Sequence, residues 1–128
     1  MNKLQSKQDY LERILMLCEK QDLVRAIDIA NSMNYSKPSV SIALKKLKND
    51  GYITVDSQNG NISLTPQGKE IALSIFERHK IVSSALIMLG VSEETAIEDA
   101  CKIEHDISDE TFEKLKEFLM NRVESENL

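Results

Sequence analysis

The run Asp99-Ala100-Cys101-Lys102-Ile103-Glu104-His105 sets a thiol, a carboxylate and an imidazole at spacing i, i+3, i+4. On a helix these three side chains share one face. Sulfur, oxygen and nitrogen donors together suit half of a coordination sphere for a first-row divalent ion. Asp9 and Glu12, also three apart, offer two further oxygens, and His79 offers a second imidazole. Both histidines of the chain fall in this set. Taken singly, each residue has an ordinary alternative. Asp9 and Glu12 can be exposed helix carboxylates, with Asp9 favoured near a helix start. His79, between Arg78 and Lys80, can be a surface histidine, and Glu104 and His105 a helix-end pair. Cys101 can be a small core residue. Cys18, on the apolar stripe of the first helix, is read as core. The joint occurrence of the other six carries the metal reading.

The elements that must position these residues follow from periodicity. Residues 6–20 read as an amphipathic helix with Leu11, Ile14, Leu15 and Cys18 inward and Ser6 as N-cap. Residues 24–33 read as a second helix, with Ala26, Ile27, Ala30 and Met33 as its apolar positions. After Asn34-Tyr35-Ser36 a third begins, with Pro38 in its first turn, Val40, Leu44 and Leu47 inward, and Gly51 suited to its C-terminal cap. Tyr52–Val55 and Asn61–Leu64 are β-prone, and Asn59-Gly60 between them is a hairpin signal. Three helices and a hairpin are the winged-helix order. Thr65-Pro66 starts a long helix running to about Leu89. Ser92 caps a helix through about His105, and Ser108 caps one through about Arg122. The fold class is mainly α: a winged helix-turn-helix over 1–70, then an α-helical metal-binding and dimerisation domain over 71–128.

Charge follows the same division. Residues 1–50 carry nine Lys/Arg against six Asp/Glu, residues 51–90 three against three, and residues 91–128 four against twelve. The N-terminal part can face phosphate and the acidic C-terminal part is repelled by it, despite a formal net charge of −5. The sequence has neither an apolar run of membrane-spanning length nor a signal-peptide core. A cytoplasmic location with reduced cysteines is expected.

The second helix of a helix-turn-helix can enter the major groove with its N-terminal residues at base edges. Here these are Ser36, Lys37, Pro38, Ser39 and Ser41. Lys45, Lys46 and Lys48 are placed for phosphate, and Gln58, Asn59 and Asn61 for contacts at the wing. Metal ligands flanking a DNA reader point to a metal-sensing transcription factor.

The chain resembles the diphtheria toxin repressor family of iron- and manganese-dependent regulators over nearly its whole length. The resemblance is carried by Asp9-Tyr10-Leu11-Glu12, Ala26-Ile27-Asp28-Ile29-Ala30, Pro38-Ser39-Val40-Ser41, Leu64-Thr65-Pro66-Gln67-Gly68, Arg78-His79-Lys80 and, most specifically, the segment Asp99 to Ser108. It implies a homodimer that takes Fe(II) or Mn(II) as co-repressor and binds operators of metal-uptake genes. Two branches are mixed in this chain. Asp9 and Glu12 match the manganese branch, and Cys101 matches the iron branch. His79, Glu104 and His105 fit both. Ser83 and Ile97 stand where the iron branch has its ancillary ligands, so that site is expected to be absent or altered. The iron branch's SH3-like domain is expected to be missing. Cys101 can ligate through sulfur or through its backbone carbonyl.

Ile87, Met88, Leu89, Val91, Ile97, Ile107, Phe112, Leu115, Phe118 and Leu119 are expected to supply the dimer surface. No membrane, no small organic substrate and no enzymatic activity are expected, since no acid/base or nucleophile constellation stands apart from the ligands. The alternative reading is a metal-independent winged-helix regulator.

Overall fold

The computed structural model describes the backbone of residues 3–126 and the side chains of residues 6–122. Six helices and one hairpin follow in the order α1 (Lys3–Lys20), α2 (Ala26–Met33), α3 (Lys37–Asn49), β1 (Ile53–Val55), β2 (Ile62–Leu64), α4 (Pro66–Met88), α5 (Glu93–Ile103) and α6 (Asp109–Glu126). They form two compact units, residues 1–74 and 75–128, with the division inside α4.

In the first unit, α1 packs on α2 and β2, α2 on α3, and α3 on β1. Leu11, Ile14 and Leu15 of α1, Val40, Leu44 and Leu47 of α3, and Ile53 and Ile62 of the strands are buried in its core. The expected inward faces of α1 and α3 therefore hold, with one exception. Cys18 is exposed, at the edge of the α1 stripe, and its Sγ faces the Ile62 carbonyl oxygen at 3.7 Å. Burial of the sulfur still pushes this thiol up from its ordinary range. Ser6 is no N-cap, because α1 already runs helical from Lys3.

The second helix is shorter than expected. Its N-cap is Arg25, whose N–H donates to the Asp28 carboxylate at 2.9 Å. Its core residues are Ile29 and Ala30, while Ile27 is exposed. Val24 lies outside the helix because its backbone is used elsewhere. Its N–H donates to Asn61 Oδ1 at 2.9 Å and its carbonyl accepts from Ile62 N–H at 2.7 Å. The wing is thereby stitched to the loop before α2, and Asn61 is a structural link rather than a free wing-tip amide. The hairpin pairs Ile53 with Leu64 and Val55 with Ile62. Its loop is organised by Asp56, whose carboxylate accepts from Gln58 N–H at 2.8 Å and Asn59 N–H at 3.1 Å, and Gly60 takes φ +75°.

The junction into α4 explains the Leu64-Thr65-Pro66-Gln67-Gly68 motif. Thr65 Oγ1 accepts from Gly68 N–H at 3.1 Å, capping the helix, and donates to the Gly51 carbonyl at 2.7 Å. A Cβ at Gly68 would overlap the Tyr52 carbonyl oxygen, so only glycine lets the first turn of α4 meet the start of the wing.

In the second unit, Ile81 of α4 and Phe112 and Leu119 of α6 form the buried cluster, with Ile107 and Leu115 packed against it. This divides the residues expected at a dimer surface. Ile107, Phe112, Leu115 and Leu119 serve this unit's own core, whereas Ile87, Met88, Leu89, Ile97 and Phe118 are exposed. Ser92 caps α5, and Ser108 Oγ accepts from Thr111 N–H at 3.1 Å to cap α6. The α5 helix stops at Ile103, two residues short of the expected His105. Glu104 is its C-cap in αR geometry, and Asp106 N–H closes a turn onto the Ile103 carbonyl at 2.9 Å.

Candidate metal centre and nucleic-acid interface

The metal-ligand candidates of the second unit converge. His79, on α4, places Nδ1 2.9 Å from Glu104 Oε2 and 3.8 Å from Cys101 Sγ. His105 Nε2 lies 3.4 Å from the other carboxylate oxygen, Oε1. The carboxylate of Glu104 therefore sits between two imidazoles, with the thiol beside the first. Although α5 ends at Ile103, Glu104 N–H still bonds the Ala100 carbonyl at 3.0 Å, so the helical phase that relates Cys101 to Glu104 persists into the cap.

Glu104 is 1% exposed, and among the described residues its Oε1 accepts no hydrogen bond. The 3.4 Å approach of His105 is an ion-pair distance without hydrogen-bond geometry. A buried carboxylate oxygen without a donor is costly. A cation beside it removes that cost, and the surrounding nitrogen and sulfur donors suit a first-row divalent ion. The donor set thus fits a metal. Cys101 and Glu104 together push the His79 imidazole up to about 10, against its partial burial.

Arg78 is the residue that the motif spacing did not single out. Its guanidinium donates to the carbonyl of Ile107 at 3.1 Å and approaches that of Glu104 at 3.5 Å. It also pairs with the Asp109 carboxylate and lies 5.0 Å from the Phe112 ring centre. One side chain of α4 thereby holds the turn that carries Glu104 and His105. Ser83, in place of an ancillary ligand, is buried and donates to the His79 carbonyl at 2.7 Å, while Ile97 is exposed.

Asp9 and Glu12 belong to the first unit, one turn apart on α1, and both are half-buried.

The proposed DNA-reading residues Ser36, Lys37, Pro38, Ser39, Ser41, Lys45, Lys46, Lys48 and Asn59 are all exposed. Ser36 is partly committed: its Oγ accepts from Ser39 N–H at 3.3 Å as the N-cap of α3 and contacts Ser39 Oγ at 2.9 Å. Asn59, also exposed, has its Oδ1 engaged by Asn61 N–H at 2.9 Å. Ile42, 73% exposed on the same helix, was not among the expected contacts.

A helix-turn-helix with a wing, joined through α4 to a helical unit that gathers nitrogen, oxygen and sulfur donors, defines a metal-responsive DNA-binding regulator. The comparisons agree. Residues 4–60 match the N-terminal DNA-binding domain of iron-dependent repressors, and residues 65–126 match their metal-binding and dimerisation domain. The chain belongs to the iron-dependent repressor family, and its cofactor is a divalent metal ion. It is 40% identical over 117 residues to an uncharacterised HTH-type transcriptional regulator of Methanocaldococcus jannaschii, covering 90% of this chain and 93% of that one. It is 38% identical over 110 residues to the transcriptional regulator MntR of Salmonella typhimurium, covering 86% and 69%. Among solved structures, the manganese regulator SloR superposes with a TM-score of 0.78 at 32% identity, covering 88% of this chain and 53% of that one. A manganese-dependent transcriptional repressor in complex with manganese gives 0.80 at 28%, covering 88% and 52%. The chain spans about half the length of these two solved proteins. Among the described residues no helix is long and apolar enough to cross a membrane.

Proposed function

We propose that this chain is a homodimeric, cytoplasmic repressor that binds operator DNA of metal-uptake genes when loaded with Mn(II) or Fe(II), acting by binding rather than catalysis. Residues 1–70 are its DNA reader and residues 71–128 its metal-binding and dimerisation part. The observation that carries the reading is the buried Oε1 of Glu104, without a hydrogen-bond donor, in a cluster of two imidazoles and a thiol. His79, Cys101, Glu104 and His105 would hold the ion, Cys101 through its sulfur, since Sγ faces the His79 nitrogen. Asp9 and Glu12 would complete the ligand set from the DNA reader.

When bound, the ion would supply a positive charge that neutralises these carboxylates, and through Asp9 and Glu12 it would restrain α1. The chain's own residues do the rest. Arg78 fixes the turn that presents Glu104 and His105. Restraining α1 restrains α3, which packs in the same small core through α2. In the dimer, two α3 helices must match half-sites about one helical turn apart. Fixing their separation favours operator binding.

The test is binding to a fragment of the chain's own promoter or of a metal-transporter promoter, measured anaerobically with chelator and then with Mn(II) or Fe(II). Binding that requires metal is expected. Equal binding in both conditions contradicts the reading and leaves a metal-independent winged-helix regulator. In parallel, Co(II) loading should give a near-ultraviolet sulfur-to-metal charge-transfer band that Cys101→Ser removes.

A further inference from the structure

The α3 helix carries a large exposed apolar side chain on the side away from the core. Val40, Leu44 and Leu47 mark the buried side of α3. At 3.6 residues per turn the opposite side is centred near Ile42, in line with Pro38, Lys45 and Asn49 at i−4, i+3 and i+7. Ile42 is 73% exposed, the most exposed large apolar side chain of the first unit among the described residues. Scattered apolar side chains on a surface need no explanation. This one stands in the middle of the face that a helix-turn-helix turns to the groove. Lys45 and Lys46 flank that face, one on either side of Ile42, and Lys37 and Lys48 lie exposed further round the same helix, so its surface carries positive charge. That charge complements phosphate and selects duplex nucleic acid over an apolar protein partner.

In the major groove the one apolar group on a base edge is the thymine C5-methyl. The branched Ile42 side chain has no hydrogen-bonding atom, so a groove floor of amino and carbonyl edges beneath it would lose water without replacement. A thymine methyl there buries apolar surface on both sides. We propose that Ile42 is a specificity-determining residue that reads the C5-methyl of a thymine, one in each half-site of the operator. This rests on the assignment of α3 as the recognition helix and adds the base it selects.

The experiment starts from a randomised duplex pool, selected with full-length protein in the presence of Mn(II). Each thymine of the enriched consensus is then replaced by deoxyuridine, which removes only the methyl. For the wild type, one symmetry-related pair of replacements should weaken binding, by about fourfold per methyl and about fifteenfold for the pair. Ile42→Ala, an exposed change to a good helix former, should bind the thymine duplex weakly by the same factor and be indifferent to those replacements. Ile42→Val should keep most of the discrimination. If every deoxyuridine affects wild type and Ile42→Ala alike, the Ile42 assignment is overturned while the DNA reader stands. If no duplex is enriched at all, the recognition-helix reading fails, and this inference with it.

Discussion

Nδ1 of His79 lies 2.9 Å from Oε2 of Glu104, a residue 25 positions further along the chain. The pair joins α4 to the end of α5 and is the hinge of the metal proposal. Without metal, the raised His79 favours a protonated imidazole, with Nδ1–H donating to the Glu104 carboxylate. A divalent ion competes with that proton for the same two groups.

The pH dependence follows directly. The neighbours of His79 raise it from 6.5 to about 10. This raised value stabilises the metal-free fold fully below pH 6.5, and the contribution is lost as pH rises through about 10. Metal binding must release the same proton, so apparent Mn(II) affinity should go on rising well above pH 6.5, by up to about tenfold per pH unit from this group. Titrations at about pH 6.5, 7.5 and 8.5 check it. A flat affinity over that range is the contrary outcome.

Glu104→Gln separates the carboxylate's two roles. The amide keeps its size while removing a buried charge that has one oxygen without a donor. The metal-free protein should melt lower near neutral pH, because the uncharged amide leaves the His79 imidazolium without its carboxylate partner. Its Mn(II) affinity should fall by more than the about 10–100-fold typical of residues that only support a ligand. Calorimetric melting with and without metal reads both effects. An unchanged Mn(II) affinity would reverse the assignment.

Arg78 acts through the backbone it holds. Arg78→Ala removes the bonds to the Glu104 and Ile107 carbonyls and the pair with Asp109. Metal affinity should drop by about 10–100-fold with all ligands in place. Arg78→Lys, which keeps the charge but cannot span two carbonyls with a planar fork, should recover only part of it. The Co(II) spectrum of Arg78→Ala should retain the sulfur band at saturating metal. Loss of the band would mean that Arg78 does more than position the turn.

Gly68→Ala tests the joint between wing and α4. The added Cβ would overlap the Tyr52 carbonyl, and backbone must shift to admit it. A loss of about 1–3 kcal/mol is expected from such overpacking. Denaturant unfolding measures it, and a neutral change would show that the joint is loose.

Much of this was legible in the sequence because it is local. Ser36 before Lys37-Pro38, Thr65 before Pro66 and Ser108 before Asp109 mark helix starts through caps that act within three residues. Val40, Leu44 and Leu47 follow one period and are buried as a set. The clustering of Cys101 and Glu104 beside His79 was legible as donor types at helical spacing. Misreadings arise where the outcome depends on distant partners. Cys18 and Ile27 satisfy the apolar pattern yet sit at its edge, and only the packing of neighbouring helices decides which edge is covered. Val24 leaves α2 because Asn61 and Ile62 claim its backbone. Arg78 earns its role from carbonyls 26 and 29 residues away, which no local pattern announces.

If one metal site governs DNA binding, metal and operator must each tighten the binding of the other by the same factor. Mn(II) affinity is measured for the full-length protein alone and with saturating operator duplex. Metal should bind tighter on DNA by about 5–150-fold, equal to the factor by which Mn(II) tightens operator binding. The Asp9→Asn, Glu12→Gln double variant should keep metal binding in the second unit but lose most of this factor. An unchanged Mn(II) affinity on the operator in the wild type would show that metal and DNA binding are uncoupled in this protein.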